Sequence, residues 1–177
     1  MIILGLDPGP KNCGWALLDT EKSTIVDAGH DEWNIVRTIY NQTDIDYIAI
    51  EKVIIYTNIP GSAYILPDAI ENIGRMIELA QPSTSSDFTP VVKLTRAEVI
   101  KILTGKAPGR GNKVSKKDVS DIVMKKLKLK KAVKPVHAND AVAVAIAVAI
   151  KDKIDKIGKT NGRRKGKKVS EPNGEAV

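Results

Sequence analysis

The run AVAVAIAVAI, Ala141 to Ile150, constrains this chain more than any other stretch, and it follows directly on HAND, His137 to Asp140. About half as long as a membrane span, it is too short to cross a bilayer. A helix apolar all round must be buried, and side chains this small let it lie close against a sheet. The sequence therefore predicts a long helix from His137 to Ile157, entered just after Pro135. Aromatics make up 4% of the chain, so Ile, Val, Leu and Ala must fill the core.

The preceding segments supply that sheet. Ile2–Leu6 reads as a buried strand running into a Pro-Gly turn. Cys13–Leu18 and Thr24–Ala28 follow as strands joined by a hairpin connection. Asp31–Asn41 has helical spacing, and Tyr47–Ile50 is a further strand ending on Glu51. After a loop with Asn58, Pro60 and Gly61, the stripe Ala69, Ile70, Ile73, Met76 and Ile77 predicts a helix over Pro67–Leu79. Phe88–Leu94 is the last strand. Capping-box spacing at Thr95–Glu98 and Ser115–Asp118 starts two more helices, the second lysine-rich to about Leu129, with the glycine-rich basic loop Gly105–Lys113 between them. Strands followed by helices in this order imply an α/β class with a mixed sheet. Residues 1–157 are expected as one domain and residues 158–177, lacking apolar periodicity, as a basic, disordered tail.

Charge is divided unevenly. Residues 1–104 carry 8 Lys/Arg against 14 Asp/Glu, a net of −6, whereas residues 105–134 carry 11 against 2, a net of +9. Residues 151–177 add 9 bases and 4 acids, a net of +5. Such late concentration suits a polyanionic partner, and it equally suits a solvated lysine-rich helix. A single cysteine, Cys13, excludes an intramolecular disulfide and a cysteine-based zinc cluster. With no basic-flanked apolar leader at Met1–Leu6, a cytoplasmic location (or its equivalent in a virus-infected cell) and no membrane partner are expected.

Three carboxylates stand at the ends of elements. Asp7 terminates the first strand, Glu51 the fourth, and Asp140 opens the apolar helix with His137 one turn before it. Ligands gather at the carboxyl ends of strands in α/β sheets. Each residue also has an ordinary reading: Asp7 as turn punctuation, Glu51 as a half-exposed strand end, Asp140 and His137 as first-turn groups suited to the macrodipole. Taken together, clustered acids need a counterion, and hard oxygen donors suit Mg²⁺ or Mn²⁺.

These segments resemble a known family. GLDPG…GWALL (Gly5–Leu18), IAIEKV (Ile48–Val53) and HANDAVAVAIA (His137–Ala147) are similar to the three acidic motifs of RuvC-type Holliday junction resolvases, in order and spacing over residues 1–150. The resemblance implies a ribonuclease H-like fold, a mixed five-stranded sheet flanked by helices. It implies symmetric metal-dependent cleavage of four-way DNA junctions by a homodimer, with two Mg²⁺ per site (Mn²⁺ substituting) and 5′-phosphate products. Asp7, Glu51, Asp140 and His137 fall at the family's metal-binding positions. Lys106, Arg110, Lys113, Lys116 and Lys117 match its DNA-binding region. Ile54 stands where the family inserts an aromatic at the junction centre, and Tyr56 is the nearest aromatic. The helix over Pro67–Leu79 is the candidate dimer surface. Two rival readings stay open: a ribonuclease H-like nuclease for other branched DNA or RNA, and a non-catalytic junction binder.

Overall fold

A computed structural model describes residues 1–52, 70–78, 88–109 and 114–165, the last seven as helical backbone. In chain order the elements are β1 (Ile2–Pro8), β2 (Asn12–Asp19), β3 (Thr24–Glu32), α1 (Trp33–Gln42), β4 (Tyr47–Glu51), α2 (70–78), β5 (Val91–Leu94), α3 (Arg96–Thr104), α4 (Lys116–Leu127) and α5 (Val136–Lys165). The five strands form one mixed sheet in the order β3-β2-β1-β4-β5. β1–β2 and β2–β3 are antiparallel, while β1–β4 and β4–β5 are parallel. Among the described residues no helix is long and apolar enough to cross a membrane.

Strand alternation divides the core. Leu4 and Leu6 of β1, Cys13, Trp15 and Leu17 of β2, and Ile48 and Ile50 of β4 pack with Trp33 and Val36 of α1 and Met76 of α2. Ile3, Ala16, Leu18 and Ala49 point to the opposite face, where α3, α4 and α5 cover them. Residues of one strand reach the same face every second position, so Asp7 and Glu51 share the α5 face with Ile3 and Ala49. α5 lies against β1 and β2 because both strands present bare backbone there. A Cβ on Gly5 would sit 2.2 Å from the Ala141 carbonyl oxygen, and one on Gly14 2.3 Å from that of His137. The expected close seating of the Ala/Val/Ile helix is thus built on two glycines. Val142, Val144 and Val148 are fully or nearly fully buried behind it, each contributing about 1.5–3 kcal/mol of apolar burial.

Several boundaries differ from the sequence expectation. β1 continues through Asp7 and Pro8, which pair with Gly14 and Cys13. β3 reaches Glu32 instead of stopping at Ala28, since β2 pairs with it as far as Asn12; α1 is thereby delayed from Asp31 to Trp33. β5 begins at Val91, directly after Pro90, which has no N–H to give a ladder. α5 runs past Ile157 to Lys165, across Gly158 and Gly162, each of which costs a helix about 1 kcal/mol, so the expectation of a structureless tail from residue 158 is corrected over 158–165. Of the helix expected over Pro67–Leu79, residues 70–78 are helical; its ends, the preceding loop and residues 166–177 lie outside the described residues.

Candidate active site

The pairing register assembles one row of residues across four strands. Leu6 of β1 pairs with Ile50 of β4, so the next position on each brings Asp7 beside Glu51. Asp7 is opposite Gly14 on β2, and Gly14 is opposite His30 on β3. The row therefore reads Glu51, Asp7, Gly14, His30, all toward α5. Over the gap left by Gly14 sits the first turn of α5, with the His137 backbone in contact. His137 and Asp140, three residues apart on α5, lie on one helical face.

His137 Nδ1 lies 2.8 Å from Asp7 Oδ2. An ionised carboxylate oxygen only accepts, so the imidazole Nδ1–H donates. Asp140 is 3% exposed. Its Oδ2 accepts from Lys116 Nζ at 3.1 Å, and its Oδ1 stands 3.7 Å from the Arg96 guanidinium. The same guanidinium is 3.8 Å from Glu51 Oε1. Both cations are delivered by helix starts: Thr95 and Ser115 form complete capping boxes with Glu98 and Asp118, which makes Arg96 and Lys116 the first helical residues of α3 and α4.

One ligand atom from each of Asp7, His137 and Asp140 lies within 4.8 Å of the others. Glu51 stands outside that trio but faces the same cluster through Arg96. The donor set fits a divalent cation on a second ground as well. Asp140 Oδ1 is buried without a hydrogen-bond partner, and an uncompensated buried carboxylate oxygen is costly unless a cation meets it. One long contact, 3.7 Å to Arg96, leaves that demand only partly answered.

Glu51 carries the electrostatic strain. Burial first, and then the Asp7 and Asp140 charges, push its carboxyl up from 4.5 to about 7, against the lowering pull of Arg96 and Lys116. In the metal-free protein the folded state then binds more protons than the unfolded one between those two values. The neutral carboxyl's stability is fully present below about pH 4.5 and is lost as pH rises through about 7. Glu51→Gln is therefore expected to be more stable than the wild type by about 3 kcal/mol at pH 8 without metal, and close to it at pH 4. Urea melts at the two pH values measure this, and an equal gain at both would reject the electrostatic account.

Three of the four ligand candidates read from the sequence, Asp7, His137 and Asp140, thus meet in one cluster, and Glu51 stands beside it. Lys116 points into it on Asp140. Lys106 and Lys117 are exposed, on the turn after α3 and in the first turn of α4. Arg110, Lys113, Ile54 and Tyr56 lie outside the described residues. Sequence reasoning missed His30, Gly14 and Arg96. The capping box at Thr95 already placed Arg96 at a helix start, whereas His30 and Gly14 enter only through strand register.

Residues 30–148 match the family model for crossover junction endodeoxyribonuclease RuvC. The chain is 32% identical over 165 residues to the crossover junction endodeoxyribonuclease RuvC of a Nitratiruptor species, spanning 84% of this chain and 96% of that protein. To the Campylobacter concisus protein of the same name it is 30% identical over 164 residues, with 84% and 96% covered. Its fold is similar to that of T. thermophilus RuvC in complex with Holliday junction substrate, with a TM-score of 0.70 at 20% identity over 88% of this chain and 96% of that one.

Proposed function

This chain belongs to the RuvC family of crossover junction endodeoxyribonucleases, and on that premise we propose that it resolves four-way DNA junctions by metal-dependent phosphodiester hydrolysis. The observation that carries the reading is the cleft itself, where three potential ligands meet within 4.8 Å around a buried carboxylate oxygen with no hydrogen-bond partner. A non-catalytic binder gains nothing from stacking carboxylates beside phosphates.

Asp7, Glu51, His137 and Asp140 are the residues that would hold divalent cations, two Mg²⁺ per site with Mn²⁺ as a substitute. Bound there, such ions supply Lewis acidity toward the scissile phosphate and lower the pKa of water. The protein's own groups do the rest. Asp7 holds one edge of the His137 ring, and Lys116 neutralises Asp140 beside it. Lys106 and Lys117, with Arg110 and Lys113 from the glycine-rich loop, bind the DNA backbone, each phosphate contact steepening the salt dependence by about 0.9 in log–log slope. Ile54 and Tyr56 enter the junction centre as an apolar wedge. The products carry 5′-phosphates.

Symmetric cutting requires two such clefts, so the active form is a homodimer. α2 is its candidate surface: Met76 is buried against the sheet while Ile70 remains about half exposed. Residues 1–157 constitute the nuclease domain, and the bases beyond them add non-specific DNA affinity. Action on DNA suits the cytoplasm or its equivalent in an infected cell.

The test is a binding comparison with nick mapping. A four-way junction should be bound more tightly than a linear duplex of equal length by a factor on the order of 10³, at about 0.15 M salt, with symmetric nicks when Mg²⁺ is added. Equal affinity would make the chain a generic basic binder. Preference for flaps or RNA hybrids would select the rival nuclease reading.

A further inference from the structure

We propose that His30 is a positioning residue that holds the His137 imidazole in the plane the active site requires. The two are the chain's only histidines, 107 positions apart, and their rings are stacked with centroids 4.7 Å apart at an interplanar angle of 24°. That separation and tilt fall in the favourable range for an aromatic pair.

The arrangement follows from the row across the sheet. Gly14 leaves a gap between Asp7 on β1 and His30 on β3, and the first turn of α5 fills it with His137. Asp7 then takes one edge of the ring through Nδ1 at 2.8 Å, and His30 takes one face. Both restraints are needed. The His137 side chain is 52% exposed, so surrounding packing does not immobilise it. A ring held by a single hydrogen bond still turns about that bond, and a face-to-face neighbour stops the turning. Fixing the plane fixes where the second ring nitrogen points. A bulkier residue at position 14 would close the gap, and a non-aromatic one at position 30 would leave the face open.

This inference rests on the reading of His137 as a ligand of the active site, and the experiment separates the two. In the metal-free full chain, the His137 Nδ1–H signal is followed by NMR in the wild type, His30→Ala and His30→Phe. Exchange of that proton with water should quicken about two- to tenfold in His30→Ala, the range set by the worth of one aromatic pair, and should return to the wild-type rate in His30→Phe. Mn²⁺ affinity by calorimetry should follow the same pattern, about two- to tenfold weaker in His30→Ala and restored in His30→Phe, while the thermal midpoint of His30→Ala falls by only about 1–6 °C, the same aromatic pair lost from the fold. Unchanged exchange in His30→Ala overturns the proposal, as does failure of phenylalanine to restore it. A wild type that binds no Mn²⁺ but shows the expected exchange pattern would overturn the metal reading and leave the stack standing.

Discussion

Asp7→Asn will bind a four-way junction as well as the wild type does and cut it on the order of 10³-fold more slowly, the several kcal/mol of transition-state stabilisation that a correctly held metal supplies. The substitution is nearly isosteric. An asparagine oxygen can still accept from His137 Nδ1, now 2.8 Å from Asp7 Oδ2, so the local frame survives. What disappears is one negative charge in a cleft that depends on charge to hold cations. Loss of that charge also removes a repulsion toward DNA phosphates, so affinity should be unchanged or slightly higher. Single-turnover cleavage with Mg²⁺, beside gel-shift binding without it, separates the two quantities. Undiminished cutting would remove Asp7 from the chemistry and, with it, the proposed ligand set.

The second large effect is on folding. Gly5→Ala places a Cβ 2.2 Å from the Ala141 carbonyl oxygen and 3.0 Å from the Ala145 Cβ. The obstructing atom is helix backbone, which cannot rotate aside as a long side chain would. α5 must therefore lift from β1, at a cost near the upper end of the usual overpacking range, about 3 kcal/mol. For a domain of this size that lowers the unfolding midpoint by about 6–12 °C. Cleavage should fall as well, because Ala141 adjoins Asp140. Gly74→Ala is the matched control: nothing lies within 4 Å of its Cβ position, and helix propensity there favours alanine by about 1 kcal/mol. A Gly5→Ala protein that melts with the wild type would show that the helix is not seated on Gly5.

Much of this was legible in the sequence because it is local. The Ala/Val/Ile run can only be a buried helix, alternation marks the strands, and the capping boxes at Thr95 and Ser115 mark two helix starts that the structure places at Arg96 and Lys116. The carboxylates stood out because each breaks an apolar pattern at an element end. Boundaries were less legible where pairing overrides local preference. Asp31 opens a stretch whose own spacing reads as helix, yet β2 draws it into β3.

The identities of Asp7, Glu51, His137 and Asp140, the α/β class and the basic second half were determined by the order of residues alone. Which of those groups touch was decided only by tertiary structure. Strand register put Asp7, Gly14 and His30 in one line, and two glycines let α5 descend far enough for His137 and Asp140 to meet it. Arg96 and Lys116 came to the same carboxylate from separate helices. Contact depends on pairings between segments tens of residues apart, and no periodicity within one segment encodes its distance from another.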